Sequence, residues 1–546
     1  MTKAFFVVFA CALIVNVIAT LQSSIRKAFW GKASSEDEED ENDEGRTSKN
    51  FLDEERRQNA ETIKNYLLVY LLAVFSDWVK GPYAYELYSS GDYYNYDSRE
   101  IYVLCSVLPF VSSVVFGTFL CGPIADRGFN LRCGGGRKKM ALVFALVTAL
   151  SNITKHFRDV KASIVGAVLE GISTSLLFTG FDSCLVESFL SNDTEKISSS
   201  SALHLSRVLA TAEYRNNIVA ISAGWIATQV VEMTDFRPLL ETTKEIENSR
   251  EQYNAVLYVG GVLNPFDLSS FALLLCAIFI HIFWDEKQGE KSQQEKEKRP
   301  NQQLYAEGSS TWWQRYRSSL ADAFVTAINS KEILFTGLVC FLFESAMFIF
   351  IFSWTNSIAS RLEEQQQIPF SLVFATFMFG CMTGTSIFTV LTDELRLKNE
   401  AIGKALLFAA TCAFLGMAFA NSIISSMIAF FSFEVSVGVY FPMMGTMKSQ
   451  IVPEEHRTTI YNMYRIPFNV IMVVFLFWSG APSSLLSLYP KLPFVICACT
   501  VGTAFFLQQH ICKHQEGRNG APSLATKPSK PDLFDQQETL QQKKFN

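Results

Sequence analysis

The chain has 546 residues, 49% of them apolar and 47 of them phenylalanine, and its charge gathers between the apolar runs rather than along them. Runs of roughly 18 to 25 apolar residues recur, long enough to cross a hydrocarbon core of about 30 Å, which excludes a soluble domain and indicates a multi-span protein of the lipid bilayer. The net charge of −6 lies mostly in the tails, and nothing in it points to a nucleic-acid partner.

In chain order, residues 4–21 come first, an apolar segment after Lys3. A cleavable signal peptide is one reading of it. A retained helix with its N-terminus outside is the preferred one, because cleavage would leave the acidic run Glu36–Glu44 as a translocated N-terminus and set the next span against the Lys/Arg pattern. Residues 1–60 are therefore read as a helix and an acidic cytoplasmic linker. Six spans follow at 63–85, 101–123, 139–156, 162–185, 208–231 and 266–284, within a first bundle of residues 61–285. The segment 286–330 is a cytoplasmic linker, rich in Gln, Glu and Lys and expected to be disordered. It ends in an interfacial helix opened by Trp312, Trp313, Arg315 and Arg317. Six more spans at 332–354, 370–391, 401–420, 425–447, 458–478 and 492–509 form a second bundle of residues 331–510, before a disordered cytoplasmic tail, 511–546.

Lys and Arg of short loops stay in the cytoplasm. Arg127, Arg132, Arg137, Lys138 and Lys139 after the second span, the lysines of the central linker, and Arg396, Lys398, Lys448 and Arg457 later on all fall on one side. Asp126, Arg137 and Asp393, in these loops, are candidate members of a cytoplasmic gate between helices.

The two bundles repeat. At an offset of 267 residues Asp77 matches Glu344, Lys64 matches Lys331, Gly117 matches Gly384, Asp126 matches Asp393 and Gly171 matches Gly438. A carboxylate in the middle of a membrane helix costs at least a few kcal/mol, so matched ones mark a functional polar centre. Duplicated halves around such a centre are the build of secondary transporters. At about 1.5 Å per residue, Asp77, Glu344, Glu434 and Arg465 fall at middle depths. Arg465 is the first candidate for an anionic substrate, since guanidinium offers a planar fork of donors. Glu344 and Glu434 are candidate proton carriers, because desolvation penalises the ionised carboxylate. Asp77 shares that role or holds Lys80, three residues on.

Twelve cysteines without a Cys-x-x-Cys pair and six histidines without a cluster argue against a metal site, and no cofactor is expected. Neither His-Glu-x-x-His nor Gly-x-Ser-x-Gly occurs, so an enzyme is not expected. Asn152-Ile-Thr154 is a glycosylation sequon near the outer face.

Several stretches carry a family likeness: Asp77-Trp78-Val79-Lys80-Gly81-Pro82-Tyr83, Gly122-Pro123-Ile124-Ala125-Asp126-Arg127, Leu342-Phe343-Glu344-Ser345, Phe433-Glu434 through Pro442, and above all the stretch from Lys448 to Asn469. Together they resemble the molybdate-anion transporter family of the major facilitator superfamily, over residues 66–510. The resemblance implies an all-α major facilitator fold, two six-helix bundles preceded by one extra transmembrane helix, and uptake of molybdate or a similar small oxyanion by alternating access. On that reading Arg465, Asn462, Arg215 and Lys80 bind substrate, and a proton is the coupled ion. The sequence departs from the family in its fourth span, where Gly166-Ala167 and Leu169-Glu170-Gly171 stand in place of Gly-Arg and Leu-Gly-Gly. A cation is lost and an acid gained. Arg215 in the fifth span is a candidate replacement; without one, a cation or neutral organic solute would suit the site better. A non-transporting sensor or scaffold is the other reading. The plasma membrane is the expected location, with the endoplasmic reticulum left open by the dilysine-like end Lys543-Lys544-Phe545-Asn546.

Overall fold

The computed structural model describes residues 7–18, 20, 63–81, 83, 98–127, 136–157, 160–187, 199–234, 264–284, 312–361, 369–480 and 489–520. Among them the secondary structure is helical throughout. A short helix α1, Val7–Ile18, comes first. The first half then comprises α2 (63–81), α3 (98–127), α4 (Gly136–Thr154), α5 (160–187), α6 (Ser199–Thr234) and α7 (Pro265–Phe283). Helix α8, Trp312–Asn329, leads into the second half: α9 (Lys331–Ala359), α10 (Phe370–Asp393), α11 (Asn399–Phe419), α12 (Ile423–Ile451), α13 (Arg457–Gly480) and α14 (Leu492–Gly520).

Among the described residues nine helices are long and apolar enough to cross a bilayer. Of the twelve bundle helices, α2, α4 and α6 are not among the nine. These three carry Asp77 and Lys80, Lys138 and Lys139, and Arg207, Glu213 and Arg215, which lower their mean hydropathy. The sequon is also corrected here. Asn152 is 1% exposed and its amide donates to Ser269 and Ser270 at 3.0 and 3.1 Å, so a glycan has no access to it.

Helix starts follow from local chemistry. Asn264 accepts from the backbone of Phe266 and Asp267 while Asp267 accepts from Asn264, a reciprocal cap for α7. Ser422 and Ser425 do the same for α12, and Ser330 caps α9 one residue after α8 ends.

Each half encloses its own apolar core. Phe144, Phe181, Leu185, Leu205 and Leu273 pack in the first; Phe343, Phe350, Phe388, Phe414, Phe430 and Phe433 pack in the second. The 267-residue repeat is visible in the packing. Gly171 of α5 lies against Pro109 and Ser112 of α3, and its counterpart Gly438 of α12 lies against Cys381 of α10. A Cβ at either position would run into a neighbouring backbone carbonyl, so both crossings require glycine.

The halves meet along two seams, α3 against α13 and α6 against α10. Helices α3 and α5 each widen to π-helical turns, at Ser113–Cys121 and Leu176–Gly180, where they face α13. Helix α1 lies over the other seam: Phe9 packs on Phe379 and Asn16 donates to Thr383 of α10, while Thr20 bonds Tyr214 of α6 at 3.2 Å. Its described part is about 18 Å long, shorter than the hydrocarbon core.

Candidate functional site

One end of each of the two seams is held by the carboxylates that the repeat pairs. Asp126, at the end of α3, accepts the backbone N–H groups of Thr458 and Thr459 at 2.8 Å each, occupying the positive end of α13. Its counterpart Asp393, at the end of α10, accepts from Arg207 Nε of α6 at 2.9 Å. Burial pushes the Asp126 carboxyl above the usual carboxylate range, against the hydrogen bonds from Thr458 and Thr459 that pull it down. Deeper along the first seam Thr458 donates to Ser183, Asn462 donates to Thr179, and Asn469 donates to Ser113. Each of these bonds joins one half to the other.

Between Asn462 and Asn469 on α13 sits Arg465. Its guanidinium lies 4.8 Å over the Phe178 ring of α5 and 5.9 Å from that of Phe468. Its Nε is buried without a hydrogen-bond partner. Lys448 of α12 places its ammonium 4.8 Å over the Tyr461 ring. Asp182 of α5 and Glu344 of α9 are within electrostatic reach of both cations, yet no ion pair forms between these groups. Glu344 instead accepts from the Tyr440 hydroxyl at 3.1 Å. The arrangement is two cations and two acids facing one another across the junction of the halves with their charges unspent on contact. An incoming anion can satisfy the cations without first breaking a salt bridge.

Glu434 lies elsewhere in the second half. It is 7% exposed and, among the described residues, accepts only from the Cys381 thiol, at 3.1 Å, and has no cation in ion-pair contact. Glu213 of α6 is likewise held by amides, those of Asn216 and Asn217, and Asn216 in turn accepts from Trp78 of α2.

A different charge cluster, outer in the sense that it lies away from the junction, belongs wholly to the first half. Lys80 reaches Glu170 at 3.2 Å and Asp77 at 3.3 Å, and Lys155 reaches the other oxygen of Glu170 at 3.4 Å. Both lysine side chains are almost fully buried.

A family model described as sugar transporters with twelve transmembrane segments matches residues 45–243 and 251–440. The chain belongs to this major facilitator family. Among curated relatives, the molybdate-anion transporter of Takifugu rubripes is 29% identical over 416 residues, covering 74% of this chain and 77% of the relative. That of Danio rerio is 26% identical over 421 residues, covering 75% and 77%. Among solved structures, the proton:xylose symporter XylE aligns with a TM-score of 0.55 at 10% identity, over 83% of this chain and 95% of that one. The human organic anion transporter MFSD10 aligns with a TM-score of 0.52 at 14% identity, over 83% and 99%. As a major facilitator protein the chain is a secondary transporter, and the seams and the charged junction between its halves are where such a fold works on substrate.

Within that frame the sequence-derived candidates separate. Arg465 and Glu344 come together at the junction. Asn462 is one turn from Arg465 on α13, but its amide is engaged by Thr179 and the Thr458 carbonyl. Asp77 and Lys80 lie in the outer cluster, bound to each other. Arg215 lies on the exposed stripe of α6 that holds Ile218, Ser222 and Trp225, and makes no ion pair among the described residues. The positive charge beside Glu170 is supplied by Lys155 and Lys80. Asp126 and Asp393 hold the seams; the side chain of Arg137 lies outside the described residues. Two residues at the junction, Lys448 and Asp182, are not among the sequence-derived candidates: Lys448 is absorbed by the loop-charge pattern, and Asp182 lies near the end of its span. The signal for Lys448 was its position, three residues before the end of α12.

Proposed function

We propose that this transporter carries a small tetrahedral oxyanion, molybdate in the first instance, by alternating access. The observation that carries the reading is the pair Arg465 and Lys448: two cations inside the bundle, at the junction of the halves, with no carboxylate in contact. A dianion entering a low-dielectric site needs donors and positive charge to replace its hydration. The molybdate-anion transporter relatives supply the candidate substrate, and the planar donor fork of Arg465 suits it.

Import against a negative-inside potential opposes a dianion at about 2.3 kcal/mol per charge per 100 mV, so a coupled cation is required. We assign that role to a proton carried by Glu434 and Glu344, the first held by a thiol alone and the second by a tyrosine hydroxyl. The plasma membrane is the proposed location, with α1 retained, its N-terminus outside, and the acidic linker and the C-terminal tail in the cytoplasm. Uptake of molybdate and of sulfate into cells expressing wild type or Arg465→Ala tests the reading. Accumulation in wild type that the variant loses supports it. Binding without accumulation would instead mark a sensor.

A further inference from the structure

Arg457, Tyr461 and Arg465 stand four residues apart on α13 and so share one stripe of that helix, running about 12 Å from its cytoplasmic start to the central site. All three carry buried polar atoms without a hydrogen-bond partner: Nε and Nη1 of Arg457, the hydroxyl of Tyr461 and Nε of Arg465. Arg457 is 1% exposed and Tyr461 3%. Among the described residues the single ion pair of Arg457 is made by that same Nη1, a 3.4 Å contact with Glu454 one turn away, which leaves Nε as its vacant donor. Lys448 reaches in from α12 over the Tyr461 ring, and both Lys448 and Arg457 are within electrostatic reach of Tyr461. Helix α8 covers the group from the cytoplasmic side, with Ala323 and Ala327 packed into the cluster that holds Tyr461.

A fully buried arginine with a vacant donor and one thin ion pair is costly for a fold that needs only packing at that point. A ladder of such donors leading outward from the central site is what a departing anion requires. Resting on the oxyanion reading above, we infer that Lys448, Arg457 and Tyr461 form a second oxyanion site on the cytoplasmic side of Arg465, at which substrate is held between leaving the centre and reaching the cytoplasm. Lys448 faces both positions and is shared by them.

The test uses the full chain in lipid nanodiscs and proteoliposomes, with molybdate as the probe. Wild type should bind molybdate at a tighter and a weaker site. Arg457→Gln and Tyr461→Phe should leave the tighter affinity within about twofold, remove the weaker site, and slow net uptake about tenfold, the worth of one hydrogen bond to a charged group. Tyr461→Phe removes only a hydroxyl, so it remains informative if Arg457→Gln folds poorly. Wild-type uptake and unchanged two-site binding in Tyr461→Phe would overturn the inference while leaving the oxyanion reading intact. A wild-type chain that binds molybdate at one site only would do the same. No binding by wild type at all would overturn both.

Discussion

Lys80 and Lys155 in the outer cluster, and Arg465 and Lys448 at the junction, are four cations buried in one membrane protein, and the protein treats the two pairs in opposite ways. The outer pair shares Glu170, one lysine on each carboxylate oxygen, with Asp77 completing the shell of Lys80. The inner pair is left with aromatic faces and distant acids. A buried charge that is answered within the protein holds the fold, and one that is not answered is held ready for something else. Position follows the same logic: the outer cluster lies wholly within one half, while the inner cations lie where the halves meet.

The largest effect that separates the two regions is on stability. Glu170→Ala removes the carboxylate that Lys80 and Lys155 share, leaving Lys80 with Asp77 alone, and should destabilise the protein by roughly 3–5 kcal/mol, read as a fall in thermal unfolding temperature in detergent. Lys155→Met in the same chain should restore part of the loss. If Glu170→Ala unfolds with wild type, the outer cluster is not structural and the contrast fails.

Arg465→Ala should do the reverse. Truncating it removes about 2–5 kcal/mol of oxyanion binding, a rise in Kd of about thirtyfold or more, while thermal stability stays level or rises because a desolvated cation has gone. Calorimetric titration with molybdate beside an unfolding scan measures both signs on one sample. Loss of both binding and stability would place Arg465 with the structural charges. A smaller effect is expected at Glu434. Glu434→Gln should abolish acceleration of uptake by an inward proton gradient and leave exchange of internal for external molybdate within about threefold of wild type, since neutral amide and neutral acid are alike in shape and charge. Retained gradient dependence would move the coupling role to Glu344.

The architecture was legible because membrane length and repetition are coarse signals. The six-and-six count, the Gly171/Gly438 match and the Asp126/Asp393 match each follow from spacing alone, and the packing gives all three a physical reason. The placement of Arg465 inside the bundle was legible because an arginine midway along an apolar run has few explanations. Lys448 was not, because a lysine in the last turn of a span also satisfies the loop-charge rule, and only the fold of α13 under α12 turns it inward. Arg215 failed to join for the complementary reason. Depth along a helix can be counted from sequence, but its face within a bundle depends on neighbours, and the α6 neighbours leave Arg215 on the exposed stripe. Glu170 looked like an acid added to the substrate site because its partners, Lys80 and Lys155, come from two other helices.

Asp126 tests the rule between its two extremes, since it is a buried carboxylate answered by backbone N–H groups instead of a cation. Its carboxyl sits above the ordinary range while the seam is closed, burial outweighing the hydrogen bonds. Opening the seam to water returns it to the ordinary value. The closed form therefore binds a proton more readily than the open one, so acid favours closure and the latch loosens as pH rises through the raised value. A cysteine placed at Ser183, beside Thr458 in the seam, should label from the cytoplasmic side faster as pH is raised across that window in proteoliposomes. Asp126→Asn has no proton to exchange and should flatten the dependence, apart from the intrinsic thiol response measured on an exposed cysteine. The effect is the smallest of the four because one group shifted by opposing causes moves the equilibrium little. A dependence of opposite sign, steeper labelling in acid, would mean that the hydrogen bonds to Thr458 and Thr459 outweigh burial, and Asp126 would then belong with the answered charges of the outer cluster.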